Sequence, residues 1–71
     1  MNARDKLRAA ADANGWSTAR DSSGFLTFTK SGRYVAAGGF DHYGMNYLFI
    51  KGRGLVDSYD RYTIALKELA R

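Results

Sequence analysis

Hydrophobic and polar positions change their period twice along these 71 residues, from helical spacing to alternation and back. Ala3, Leu7, Ala10, Ala11 and Ala13 form a stripe of small residues on one side of a helix. From Phe25 to Lys51 the period becomes two, and this stretch holds seven of the ten aromatic residues, which suits strands rather than helix. Near the end Tyr59, Tyr62, Ala65, Leu66 and Leu69 again fall on one side of a helix. The pattern predicts an α+β fold in the order α-β-β-β-α.

Local signals bound these elements. Asn2 suits the N-cap of the first helix and Asp5 its first turn, where a carboxylate meets the positive helix end. Gly15 suits the left-handed position that closes a helix near Asn14, with Trp16 folding back on Ala11. Ser17 to Gly24 reads as a connection or a short edge strand, since Asp21-Ser22-Ser23-Gly24 is turn chemistry. Gly52-Arg53-Gly54 breaks the last of the three strands, and Asp57 or Ser58 is the expected cap of the second helix.

Two turns set the strand register independently. Ser31-Gly32 as a two-residue hairpin loop opposes Thr29 to Tyr34, Phe28 to Val35, Thr27 to Ala36, Leu26 to Ala37 and Phe25 to Gly38. A four-residue loop, Asp41 to Gly44, opposes Phe40 to Met45, Gly38 to Tyr47, Ala37 to Leu48, Ala36 to Phe49, Val35 to Ile50 and Tyr34 to Lys51. Both registers sort the strands into the same two faces. One carries Leu26, Phe28, Val35, Ala37, Leu48 and Ile50, an aliphatic set suited to packing under helices. The expectation is a three-stranded antiparallel meander with both helices on that aliphatic face, forming one small domain over residues 1–71.

Composition narrows the class. With no cysteine, neither a disulfide nor a thiolate metal site can staple so short a chain, so its hydrophobic core carries its stability. No apolar run is long enough for a signal peptide or a membrane span, and a cytoplasmic location is the expectation. The net charge is +4, and most of the excess lies in the middle of the chain, where Arg20, Lys30, Arg33, Lys51 and Arg53 outweigh Asp21 and Asp41.

The second sheet face is where a function is expected. It collects Phe25, Tyr34, Phe40, Tyr47, Phe49 and Lys51, with Thr27, Thr29, Ala36 and Gly38 between them and Lys30, Arg33 and Arg53 at its rim. Stacked bases on such rings are worth about 1–3 kcal/mol each, with nearby cations on the phosphates, so nucleic acid is the first expected ligand. The alternative is a protein partner, such as the target of a small phage-type accessory or inhibitor protein, or a second copy forming a homodimer through the same face. Catalysis, a metal and a cofactor are not expected. His42 is the lone histidine, beside Asp41 in a polar turn, and no nucleophile with its base or ligand cluster can be assembled.

The element order resembles the double-stranded RNA-binding domain, which also packs two helices on one sheet face. That resemblance implies lysines opening the second helix, where this chain has Asp57-Ser58-Tyr59-Asp60-Arg61-Tyr62, so no residue is carried over. Three strands followed by a helix, from Phe25 to Arg71, also look like the arm-site DNA-binding domains of phage integrases, which lay their sheet in the major groove.

Overall fold

The computed structural model describes residues 2–71 as two helices on one antiparallel sheet. The elements are α1 (Ala3–Ala13), β1 (Ser17–Arg20), β2 (Leu26–Lys30), β3 (Arg33–Phe40), β4 (Met45–Ile50), β5 (Gly54–Leu55) and α2 (Arg61–Leu69). The strands lie side by side in chain order. Both derived registers hold. Leu26 faces Ala37 and Thr29 faces Tyr34 across β2 and β3, and Val35 faces Ile50 and Gly38 faces Tyr47 across β3 and β4. The Lys51 N–H continues the second ladder by donating to the Tyr34 carbonyl at 2.9 Å.

The sheet is wider than the three-stranded meander read from the sequence, and turn chemistry explains both additions. Asp21 Oδ1 accepts from the backbone N–H groups of Ser23 and Phe25 at 2.9 Å each, folding the chain back so that Ser17–Arg20 lies along β2. At the other edge Gly52 and Gly54, with φ of +92° and +90°, reverse the chain after β4. Leu55 then pairs with Phe49, and the Val56 N–H donates to the Leu48 carbonyl at 2.9 Å.

The helix ends follow local chemistry at one end and depart from it at the other. Asn2 Oδ1 accepts from the Asp5 N–H at 2.9 Å. At the other end of α1, Gly15 takes φ +82° while Trp16 N–H donates to Ala11 O and Gly15 N–H to Asp12 O, the full pair of bonds of a Schellman stop. Helix α2 starts later than expected, at Arg61 behind Asp60. Ser58 Oγ is engaged in a tight turn, accepting from the Asp60 N–H, and Asp57 bonds the Arg61 guanidinium, so neither caps the helix. Tyr59 consequently sits in that turn, fully exposed, and not on the buried side of α2.

One core forms between helices and sheet. Leu7 and Ala11 of α1 and Ala65 and Leu69 of α2 join Trp16, Leu26, Phe28, Val35, Ala37, Leu48 and Ile50 in a single buried cluster. Both helices therefore cover the aliphatic sheet face, as the alternation predicts. No helix among the described residues is long and apolar enough to cross a membrane.

Candidate functional site

The sheet face turned away from the helices is the candidate site, and the register assembles it in rows. One row crosses from Ala19 through Thr27, Ala36 and Phe49 to Leu55. A second runs from Ser17 through Thr29 and Tyr34 to Lys51, and a third joins Gly38 to Tyr47 beside Phe25. The result is asymmetric. The β1–β2 half presents small and hydroxyl-bearing residues, and the β3–β5 half presents rings and Leu55, which is 67% exposed.

The rings are held by one another. Phe25 and Tyr47 lie with centroids 5.0 Å apart and planes tilted by 34°, and Tyr34 meets Phe49 edge-on at 6.1 Å. These four side chains are half-buried. Gly38 is buried, and the Phe25 ring packs against it where any Cβ would collide with that ring. The ring thus fills the trough that Ala36 and Gly38 open in the middle strand, an aromatic cover over a strand glycine.

Of the nine predicted site residues, Phe40 is placed elsewhere, and Lys30 and Arg33 are drawn off the rings to the hairpin end of the sheet. Phe40 packs against the helix-side core together with its pair partner Met45. The cause is Gly39, whose φ of +63° rotates the chain and breaks the alternation that would have left Phe40 with Gly38 and Ala36. Lys30 and Arg33 turn toward the end of α2. Arg33 binds Glu68 Oε2 at 2.6 Å and donates to the backbone oxygens of Glu68 and Arg71, and Lys30 Nζ donates to the Arg71 backbone oxygen at 3.0 Å. Arg33 thereby reaches a carbonyl in the last turn of α2, where positive charge is favoured, and Lys30 reaches the residue after its C-cap. They also cap the buried Trp16, the Arg33 guanidinium lying 5.0 Å and the Lys30 ammonium 6.0 Å from its ring centroid.

Phe25, Tyr34, Tyr47, Phe49 and Lys51 remain together on the open face, and Arg53 lies exposed in the turn beyond Lys51. Ser17, Ala19 and Leu55, which come from the two edge strands, join the face without having been foreseen. Their signal was faint: alternation over four residues at Ser17–Arg20, and a single leucine after Gly54. His42 stands on the exposed Asp41–Gly44 loop, edge-on to Tyr43 at 4.8 Å, while Asp41 Oδ1 is used by the Tyr43 and Gly44 N–H groups. No group of three potential metal-ligating side chains gathers among the described residues.

No protein family matches the chain, and neither a curated protein nor a solved structure matches it. The resemblances to the RNA-binding and integrase domains rest on three strands, and the five-stranded sheet does not carry them further.

Proposed function

We propose that this chain is a non-enzymatic binding module that docks an uncharged, largely apolar surface of a partner protein on its open sheet face. The observation that supports this is the make-up of the face: four rings and Leu55 against one charged side chain, Lys51, at a corner. Depletion of charge with enrichment of aromatic residues marks the centre of protein interfaces.

Area argues for a transient contact with a different protein over an obligate dimer. Four strand spacings of about 4.8 Å by three rows of about 7 Å give a projected area of roughly 400 Å². That is about half of the roughly 800 Å² per partner that stable complexes bury. Nucleic acid, the ligand favoured by the sequence, retains Lys51 and Arg53, but Arg33 is paired with Glu68 and Lys30 lies at the hairpin end, away from the rings. Phosphates running along the rings would meet few cations.

The test is selection of peptides from a displayed random library on the immobilised chain, followed by amide chemical-shift mapping of the winners. Expected are shifts at Phe25, Tyr34, Tyr47, Phe49 and Leu55 that persist from low to moderate salt and are lost in Phe49→Ala, with circular dichroism unchanged. Binders that map to another face would refute the reading. So would tight, salt-sensitive binding of single-stranded oligonucleotides to the rings. Concentration-dependent dimers in light scattering, abolished by Phe49→Ala, would make a second copy the occupant.

A further inference from the structure

We infer that the groove at the hairpin end of the sheet binds a phosphate monoester. The groove has a volume of about 460 Å³, and Ser17, Thr29, Lys30, Ser31, Tyr34 and Lys51 supply side chains to its lining, with Arg33 behind them. Three cations and four hydroxyl-bearing residues line it, and no carboxylate does. Three other grooves on the molecule each include an aspartate, Asp41 in the one beside Asn2 and Asp57 in the two beside Arg61. No acid lines this groove, and Glu68 stands behind it paired with Arg33 at 2.6 Å, so the attraction an anion meets there comes from Lys30 and Lys51.

The fold builds the groove from separate elements. Ser17 faces Thr29, Thr29 faces Tyr34, and Lys51 is tied to Tyr34 by its backbone N–H, so three hydroxyls and an ammonium stand in one row across the sheet. Neighbours in such a row are about 4.8 Å apart, close enough for one tetrahedral anion to bridge two of them. The turn at Ser31 and Gly32, with φ of +49° and +81°, brings Lys30 and Arg33 to the same end.

Donors remain free. Lys51 Nζ gives one bond, at 3.3 Å, to the Gly32 carbonyl, and Lys30 Nζ gives one to the Arg71 backbone oxygen. An ammonium carries three N–H groups, so each lysine keeps two. Arg33 is spent on Glu68 and Arg71, and the Glu68 carboxylate at 2.6 Å offsets its charge.

Charge distribution selects the monoester. A phosphate monoester concentrates about −1.5 to −2 charge and three acceptor oxygens in one place, matching two lysines with spare N–H groups beside one groove. A phosphodiester chain spreads its charge and needs a track of cations. The open face beyond Tyr34 offers no such track, and the groove's volume leaves room for the group that carries the phosphate, with the Tyr34 ring in its wall.

The groove shares Tyr34 and Lys51 with the open face, and its test is kept distinct by reading Ser17, Thr29 and Ser31, which the docking of a partner on the rings does not require. Phenyl phosphate, inorganic phosphate, sodium chloride and an unphosphorylated thymidine oligonucleotide are titrated into the labelled chain at matched ionic strength while amide shifts are followed. Phenyl phosphate should give saturable shifts at Ser17, Thr29, Ser31, Gly32 and Lys51, and inorganic phosphate the same set more weakly. Lys51→Gln and Thr29→Val should each weaken the affinity, the lysine change by about tenfold, with the remaining spectrum unmoved. Equal shifts with chloride would overturn the inference, as would shifts spread over Arg4, Arg8 and Arg20. Tighter binding of the oligonucleotide than of phenyl phosphate, or full affinity in Lys51→Gln, would do the same.

Discussion

Gly38→Ala tests whether the open face is a packed cluster with its own energetics. The new Cβ would stand 2.5 Å from Phe25 Cγ and nearer still to two other ring atoms. Because Cγ is fixed by the first side-chain torsion, the ring cannot tip aside and must change rotamer. It then gives up its cover of the strand and its 5.0 Å contact with Tyr47. Gly38 itself lies outside the left-handed region, so alanine is allowed there and on its own should gain about 0.5–1 kcal/mol from lower chain entropy. Overpacking costs about 1–3 kcal/mol and a lost aromatic pair about 0.5–1.5 kcal/mol, so the net expectation is a loss of about 1–3 kcal/mol. In a Phe25→Ala background the clash is absent and the same change should gain its 0.5–1 kcal/mol. The coupling between the two sites should therefore be about 1.5–4 kcal/mol. Urea denaturation of the four proteins, followed by the fluorescence of the buried Trp16, measures it. Additivity within about 0.5 kcal/mol, or a Gly38→Ala single variant more stable than the parent, would refute the ring cover.

Two further changes probe the ends of the helices. Arg33→Met keeps an apolar stem over Trp16 but removes the bonds to Glu68 and Arg71, and should cost about 1–2 kcal/mol. Faster amide exchange confined to the last turn of α2 is the expected signature, and unchanged exchange there would refute the clamp. Gly15→Ala puts a Cβ on a residue with φ +82° and should cost about 1 kcal/mol or more, a fall in Tm of roughly 4–8 °C per kcal/mol. A calorimetric scan showing no fall would mean that α1 does not end in the Schellman stop.

What was legible in the chain was whatever short-range chemistry sets. The Ser31-Gly32 hairpin and the Asp41–Gly44 loop close through backbone geometry and Asp41's own bonds, so each dictated a register that the tertiary structure could only accept or break. Side-chain alternation then separated the aliphatic face from the ring-bearing one. The same alternation already puts Lys30 and Arg33 on the side of Phe28 and away from Thr29 and Tyr34. Their partners, however, are oxygens of Glu68 and Arg71, 35 to 41 residues away, which no local pattern reveals.

The sequence by itself determined the three central strands, their pairing, the start and stop of α1 and the division of the sheet into two faces, because each rests on bonds closed within a few residues. Only the tertiary structure decided the rest. Four residues at β1 and two at β5 carry too little pattern to announce a strand, and form one because a neighbouring edge offers them hydrogen bonds. Phe40 left the open face through one torsion at Gly39, and Lys30 and Arg33 turned from the rings toward oxygens of Glu68 and Arg71 at the hairpin end. What remains open to a partner is a face nearly free of charge, with cations and hydroxyls gathered at one end of it.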